Sequence, residues 1–251
     1  MNQQSSLFPI LIKDIEPAGT RTQKLKHIGI SETGVKYALK TLDDDVVLPI
    51  TEWFCYSLCR LTGIATPDFD IVKLPDGSLA FGSKWQPPTT YIIEPDEVDK
   101  TELLLRLANV QDGFSQMMAL DLFLPNHDRH FGNMMFDTQG NNVRLLAFDW
   151  SHVYCLANQF IPDTLANNGN TLKTLQALKQ LSVHFKKHFL DDKKTIQFIN
   201  RVKALNSSDI EKILVNTPEE WQKHIDISAI ISWWNLQNIS QRLTNQVEKH
   251  L

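Results

Sequence analysis

Apolar and polar positions change rhythm along this chain, and the change divides it. Over residues 34–42 the two kinds alternate in a β-rich run, with Asp43, Asp44 and Asp45 just after it, the pattern of a strand with one face in a core. Between Glu52 and Leu61 apolar residues recur at helical spacing. Thr51 is expected to cap that helix, Gly63 to stop it, and Phe54, Leu58 and Leu61 to face a sheet. Alternation returns over residues 69–74 and 79–83 about Pro75-Asp76-Gly77, which predicts a hairpin. Gln86-Pro87-Pro88-Thr89-Thr90 interrupts the periodicity and reads as a connector.

Beyond residue 99 the pattern is mostly helical, with helices expected over residues 102–109, 112–124, 172–189, 193–206, 218–224 and 228–249. Among them lies a second hairpin, Met134-Met135-Phe136 and residues 143–148 about the turn Asp137-Thr138-Gln139-Gly140. A polar loop spans residues 158–170. The expected fold class is α+β, in two lobes that share a cleft: a strand-rich N-terminal lobe over residues 1–86, a connector over 87–100 and a helical C-terminal lobe over 101–251.

Composition narrows the function classes. A chain of 251 residues with 42% apolar and 22% charged residues can fill a substantial core. A formal net charge of -4 supplies no basic field, so direct nucleic-acid binding is not expected. Cys55, Cys59 and Cys155 form no CxxC pair, and Cys55 and Cys59, one helical turn apart, read as small core residues. The N-terminal Met1-Asn2-Gln3-Gln4-Ser5-Ser6 lacks a basic n-region and a long apolar h-region. The most apolar run, Ala229-Ile230-Ile231-Ser232-Trp233-Trp234, is far shorter than the roughly 20 residues a span requires. A cytoplasmic protein without membrane contact is expected.

The candidate chemistry concentrates in Asn126-His127-Asp128-Arg129-His130-Phe131-Gly132-Asn133 and in Phe148-Asp149, which ends the second hairpin. An acid, an amide and a second acid at these spacings suit phosphoryl transfer. Asp128 would orient a hydroxyl and take its proton, while Asn133 and Asp149 hold a magnesium ion against the phosphates of ATP. Hairpin pairing sets Asn133 and Asp149 at the open ends of adjacent strands, where a hard cation finds oxygen ligands. Taken alone, Asp128 and Asn133 also read as turn residues.

Lys40 is the matching cation. It shares a strand face with Ala38, so a small residue would admit an adenine ring while the ammonium reaches phosphates. Glu52, in the helix that follows, would pair with Lys40 and fix it. Gly19-Thr20-Arg21-Thr22-Gln23-Lys24, ahead of the first strand pair, would lie over phosphates, with Gly19 and Thr20 nearest; it also reads as an ordinary polar loop. Thr20 and Thr22 are candidates for self-phosphorylation. His127 and His130 have metal-like spacing but lack the companions of a zinc shell, and His130 is expected to hydrogen-bond a backbone carbonyl. Arg129 would neutralise Asp149 or a phosphorylated loop, or lie on the surface. Trp85 falls where the connector would meet adenine.

Asp128-Arg129-His130 with Asn133, then Phe148-Asp149, resembles the catalytic and metal-binding segments of HipA-like kinases. Thr51-Glu52-Trp53, Leu61-Thr62-Gly63-Ile64 and Phe81-Gly82-Ser83-Lys84 resemble their small-lobe helix and hinge-side strand. The D-R-H-x-x-N signature is also similar to that of phosphatidylinositol 3-/4-kinases. The resemblance implies a two-lobed protein-kinase-like fold and an ATP- and Mg2+-dependent serine/threonine kinase, often the toxin of a toxin–antitoxin pair. It implies Asp128 as catalytic base, Asn133 and Asp149 as metal ligands, Lys40 as the ATP lysine with Glu52 its partner, and the backbone of Lys84, Trp85 and Gln86 against adenine. An antitoxin or other regulatory protein is the implied partner, alongside a protein substrate. A small-molecule or lipid phosphotransferase and a nucleotide-binding pseudokinase are the alternative readings.

Overall fold

The computed structural model describes residues 8–18, 25–85, 90–92, 110–139, 142–153, 169–186 and 188–235. Its N-terminal part is a closed five-stranded barrel, order β1-β2-β3-β5-β4, of β1 (Ile10–Pro17), β2 (His27–Ser31), β3 (Lys36–Lys40), β4 (Phe69–Lys73) and β5 (Leu79–Lys84). All neighbours are antiparallel except β1 and β4, which close the barrel in parallel at Ile10↔Val72. The expected hairpin at residues 69–83 forms as β4–β5. Gly77 turns it at φ 91, a left-handed conformation that a side chain disfavours, and its N–H bonds the Leu74 carbonyl at 2.9 Å. Inside the barrel Ile12, Tyr37, Leu39, Val72 and Ala80 make a small core of their own. The segment holding Gly19, Thr20 and Thr22 does not precede the first strand pair but links β1 to β2; it lies outside the described residues, as does Gln86.

Between β3 and β4 runs α1 (Leu48–Thr62). It starts earlier than expected: Val47 is the capping position, Pro49 occupies the first turn where its missing N–H costs nothing, and Thr51 is a buried residue inside the helix. Gly63 does end it, at φ 79. Phe54 and Leu58 are buried as expected, but Leu61, beside Arg60 near the C-terminal end of the helix, is exposed.

The second sheet, order β6-β7-β8, consists of β6 (Thr90–Ile92), β7 (Met134–Gln139) and β8 (Asn142–Ala147), antiparallel throughout. Thus the expected connector contains a strand, which pairs Tyr91 with Phe136. The expected turn at Asp137-Thr138-Gln139-Gly140 instead continues β7 to Gln139. Helices follow the second sheet or precede it: α2 (Gln111–Phe123), α3 (Asn170–Phe185), α4 (Asp192–Ala204), α5 (Ser207–Val215), α6 (Glu219–Gln222) and α7 (Ile227–Asn235). The helix expected over 102–109 lies outside the described residues, as does 236–249 of the last one. Asn206, taken as the end of a helix, is the capping residue that begins α5, its side chain accepting from Ser208 and Asp209 N–H while Asp209 caps back.

One apolar core runs through all of this. It holds Trp53, Phe54 and Tyr56 of α1 together with Phe69 and Phe81 of the barrel, Phe114 of α2, Phe136 of β7 and Leu214 of α5. Trp53 donates its indole N–H to the Ile213 carbonyl at 3.1 Å, and Tyr56 sets its ring against Phe69, Phe81 and Trp150. No helix among the described residues is long and apolar enough to cross a membrane.

Candidate active site

Lys40 ends β3, opposite Phe81 of β5, and is 6% exposed. Its ammonium lies 3.2 Å from Asp149 Oδ1 and 3.7 Å from Glu52 Oε1. A buried cation between two carboxylates from segments 97 residues apart (149 − 52) is a costly arrangement, supported by pairing and by hydrogen bonds. Burial acts to lower the Lys40 pKa, yet attraction to Asp149 and Glu52 outweighs it and the value is raised. Burial acts to raise the Asp149 carboxyl, but Lys40 and the Ser151 hydrogen bonds hold it well below the usual range. Glu52 is the surplus acid. Burial pushes it up to about 7, against the pull of Lys40 and with the repulsion of Asp149. Its two oxygens also receive the Trp150 N–H at 3.2 and 3.3 Å.

Asp149 itself is in the left-handed region at φ 59, uncommon for a residue with a side chain. Its position follows from the hairpin: β7 and β8 end their register at Met134↔Ala147, so Asn133 and Asp149 lie one and two residues past the last pair. Asn133 is buried, its amide nitrogen donating to the Asp128 carbonyl at 2.9 Å, so that its Oδ1 is the side-chain atom with acceptor capacity left.

Asp128 sits two residues after Asn126, whose Oδ1 receives the Asp128 N–H at 3.2 Å. Its carboxylate is held by two side chains that sequence reasoning missed. Asn170, in the first turn of α3, donates Nδ2 to Oδ1 at 2.6 Å, and His152 places Nε2 3.2 Å from Oδ2. The nearest signal was the proximity of His152 to Asp149 in sequence; nothing in the spacing points to Asn170, 42 residues after Asp128. Threonines of the same α3 turn brace the backbone of this loop: Thr171 accepts the Arg129 N–H at 2.9 Å and donates to the Asn126 carbonyl, while Thr174 donates to the Arg129 carbonyl at 2.9 Å.

Two expectations for the loop are corrected. Arg129 is neither a surface residue nor the partner of a phosphorylated loop: it is fully buried and paired with Asp121, Nε to Oδ2 at 2.6 Å. His130 caps the short 3₁₀ turn Phe131–Asn133 by accepting the Gly132 N–H at 3.0 Å, instead of donating to a carbonyl.

Ala38 is buried on β3 opposite Ser83 of β5 and Ile28 of β2, and shares the face of Lys40. Lys84 ends β5 half-buried, 4.0 Å from Asp68, and Trp85 follows with its N–H on the Lys36 carbonyl at 2.7 Å. Among the described residues no three His, Cys, Asp or Glu side chains converge as a self-sufficient metal cage.

No protein-family model matches the chain, and no curated protein matches it in sequence. Solved structures do resemble it. The proinflammatory kinase CtkA of Helicobacter pylori superposes with a TM-score of 0.53 at 13% identity, over 90% of this chain and 95% of that one. The N-terminal 618-residue fragment of LepB from Legionella pneumophila gives 0.50 at 15% identity, over 88% of this chain and 46% of the other. The toxin–antitoxin complex of HipA, HipB and operator DNA from Shewanella oneidensis MR-1 gives 0.47 at 12%, over 86% and 57%. At such identities the likeness is one of fold: mixed α and β structure, distantly kinase-like.

Proposed function

We propose that the protein is an ATP- and magnesium-dependent kinase that transfers the γ-phosphoryl group to a serine or threonine hydroxyl of a protein. The observation that carries this reading is the Lys40 ammonium buried between Asp149 and Glu52, beside a loop that presents Asp128 and Asn133. Lys40 binds phosphate oxygens and Glu52 fixes Lys40. Asp128, oriented by His152 and Asn170, takes the proton of the acceptor hydroxyl as its oxygen bonds to phosphorus and ADP leaves. The set of donors fits magnesium: Asp149 and the Asn133 amide oxygen are hard donors that would hold it, and an ion of this kind is commonly bound by one or two carboxylates without a full protein cage. Bound there, magnesium neutralises charge on the phosphates.

Within the same reading, Ala38 leaves room for adenine, and the backbone of Lys84 to Gln86, with Trp85, meets its edge. Gly19 and Thr20 cover the phosphates, and Thr20 or Thr22 accepts phosphate in self-regulation. The lobes divide at the connector over residues 87–100. A toxin-type role and a regulatory partner protein follow from the D-R-H-x-x-N resemblance.

The test is transfer of label from γ-labelled ATP with magnesium, comparing the wild type with Asp128→Ala and Asp149→Ala. Label on the wild type alone is expected, and phosphopeptide mapping should locate part of it on Thr20 or Thr22. Label that survives Asp149→Ala would overturn the metal assignment. A wild type neither labelled nor stabilised by ATP would overturn the kinase reading.

A further inference from the structure

We infer that Arg129 is a positioning residue for the pair Asn133 and Asp149, an inference that rests on the kinase reading above. Half of its guanidinium is spent on Asp121, through Nε to Oδ2 at 2.6 Å and Nη2 to Oδ1 at 3.2 Å. The other half is spent on main chain: Nη1 donates to the Asn133 carbonyl at 2.7 Å and to the Phe148 carbonyl at 2.6 Å. Those carbonyls belong to opposite arms of the β7–β8 hairpin, just beyond its last paired residues, Met134 and Ala147. One is on Asn133 itself and the other on the residue before Asp149. A single planar group therefore carries the connection between the arms past the end of the ladder and sets the spacing of the two proposed ligands.

The local backbone explains why such a tie is needed. Asp149 holds φ 59, a conformation that persists only where the surroundings over-determine it. Arg129 fixes the peptide before Asp149 through the Phe148 carbonyl, and Glu52 fixes the one after it through the Trp150 N–H. The guanidinium carbon lies over the Trp150 ring, 5.0 Å from its centroid, a further contact that holds the group in place. Asp121 is itself held by Asn126 Nδ2 at 2.7 Å, so the anchor at the far end is rigid. A lysine would preserve the charge opposite Asp121 but has no rigid fork to span both carbonyls.

The experiment compares Arg129→Lys, which keeps the buried charge, with Asp121→Asn, which weakens the ion pair but leaves both carbonyl contacts. Mn2+ binding to the complex with the β,γ-imido analogue of ATP is followed by electron paramagnetic resonance. Binding of that analogue in EDTA is followed by calorimetry, and thermal melting is recorded for each variant. Arg129→Lys is expected to lose about tenfold or more in Mn2+ affinity while nucleotide binding in EDTA stays within about twofold, the size of effect seen when a group behind a metal ligand is removed. Asp121→Asn is expected to melt earlier but keep Mn2+ affinity within about threefold. Unchanged Mn2+ affinity in Arg129→Lys, or an equal loss in Asp121→Asn, would sink the positioning role.

If Arg129→Lys does not melt cooperatively, the double variant Asp121→Leu/Arg129→Met, in which no unpaired charge is left in the core, replaces it with the same expected loss. Normal Mn2+ affinity there, or failure of that variant to fold as well, makes Arg129 purely structural and overturns the inference. A wild type that binds no Mn2+ with the nucleotide overturns the kinase reading itself, an outcome distinct from wild-type binding that Arg129→Lys leaves intact.

Discussion

Glu52 carries more than one burden. It partners Lys40, receives the Trp150 N–H, and does both while fully buried next to Asp149. Burial pushes its carboxyl up to about 7 from an ordinary 4.5. A folded-state value above the unfolded one means that the native state binds the extra proton between those two values. Stability from this group is therefore complete below about pH 4.5 and is lost as pH rises toward about 7. The difference amounts to about 3 kcal/mol. Glu52→Gln keeps a hydrogen-bond acceptor and removes the titration, so it should be close to the wild type in stability at about pH 5 and more stable by up to about 3 kcal/mol at about pH 8. Paired urea unfolding curves check this, and a gap independent of pH would mean that Glu52 stays ionised throughout. At this scale the sequence was legible where placement depends on a short spacing: Asn133 and Asp149 were expected at the open ends of adjacent strands, and both lie just past the last pair of the β7–β8 ladder. It was silent on Asn170 and Asp121, because contacts made from a turn of another helix leave no periodic trace, and it gave for His152 no more than nearness to Asp149 in the chain.

The elements show what propensity decides and what packing overrides. Glycines at turns were read correctly at Gly63 and Gly77, since a left-handed backbone selects glycine whatever surrounds it. The helix start was not, because Thr51 looks like a cap by composition while Pro49 and the burial of Thr51 place the first turn earlier. The orientation of α1 also escaped a one-faced reading: Leu61 is exposed, and Trp53 reaches across to the last turn of α5. There its indole N–H satisfies the Ile213 carbonyl, one of the carbonyls near a helix end that needs a partner from outside the helix. Trp53→Phe is expected to cost about 1–3 kcal/mol through that unsatisfied carbonyl, seen as a lower urea midpoint with an unchanged slope. A midpoint equal to the wild type would mean that the contact contributes nothing to stability.

At the scale of the molecule, α1 is the shared element. Its apolar residues stand in one core with the barrel strands on one side and with α2, α4 and α5 on others. A fragment of residues 1–86 would leave that surface in water, and it is expected to melt without cooperativity and to bind an apolar dye, while the full chain unfolds in one transition by circular dichroism and tryptophan fluorescence. Cooperative melting of the fragment would show that the barrel and α1 suffice as a unit. The sequence by itself determined the local matters: both hairpins, the end of α1, most of the helices, and the acid–amide–acid spacing, because each depends on residues a few positions apart. The tertiary structure alone decided the closing of the barrel through parallel β1 and β4, the strand inside the expected connector, the burial of Arg129 on Asp121, and the arrival of Asp149 3.2 Å from Lys40, beside the Glu52 partner expected from the sequence. Those depend on which distant surfaces exclude water together, and a local pattern fixes the faces that must be buried without naming what buries them.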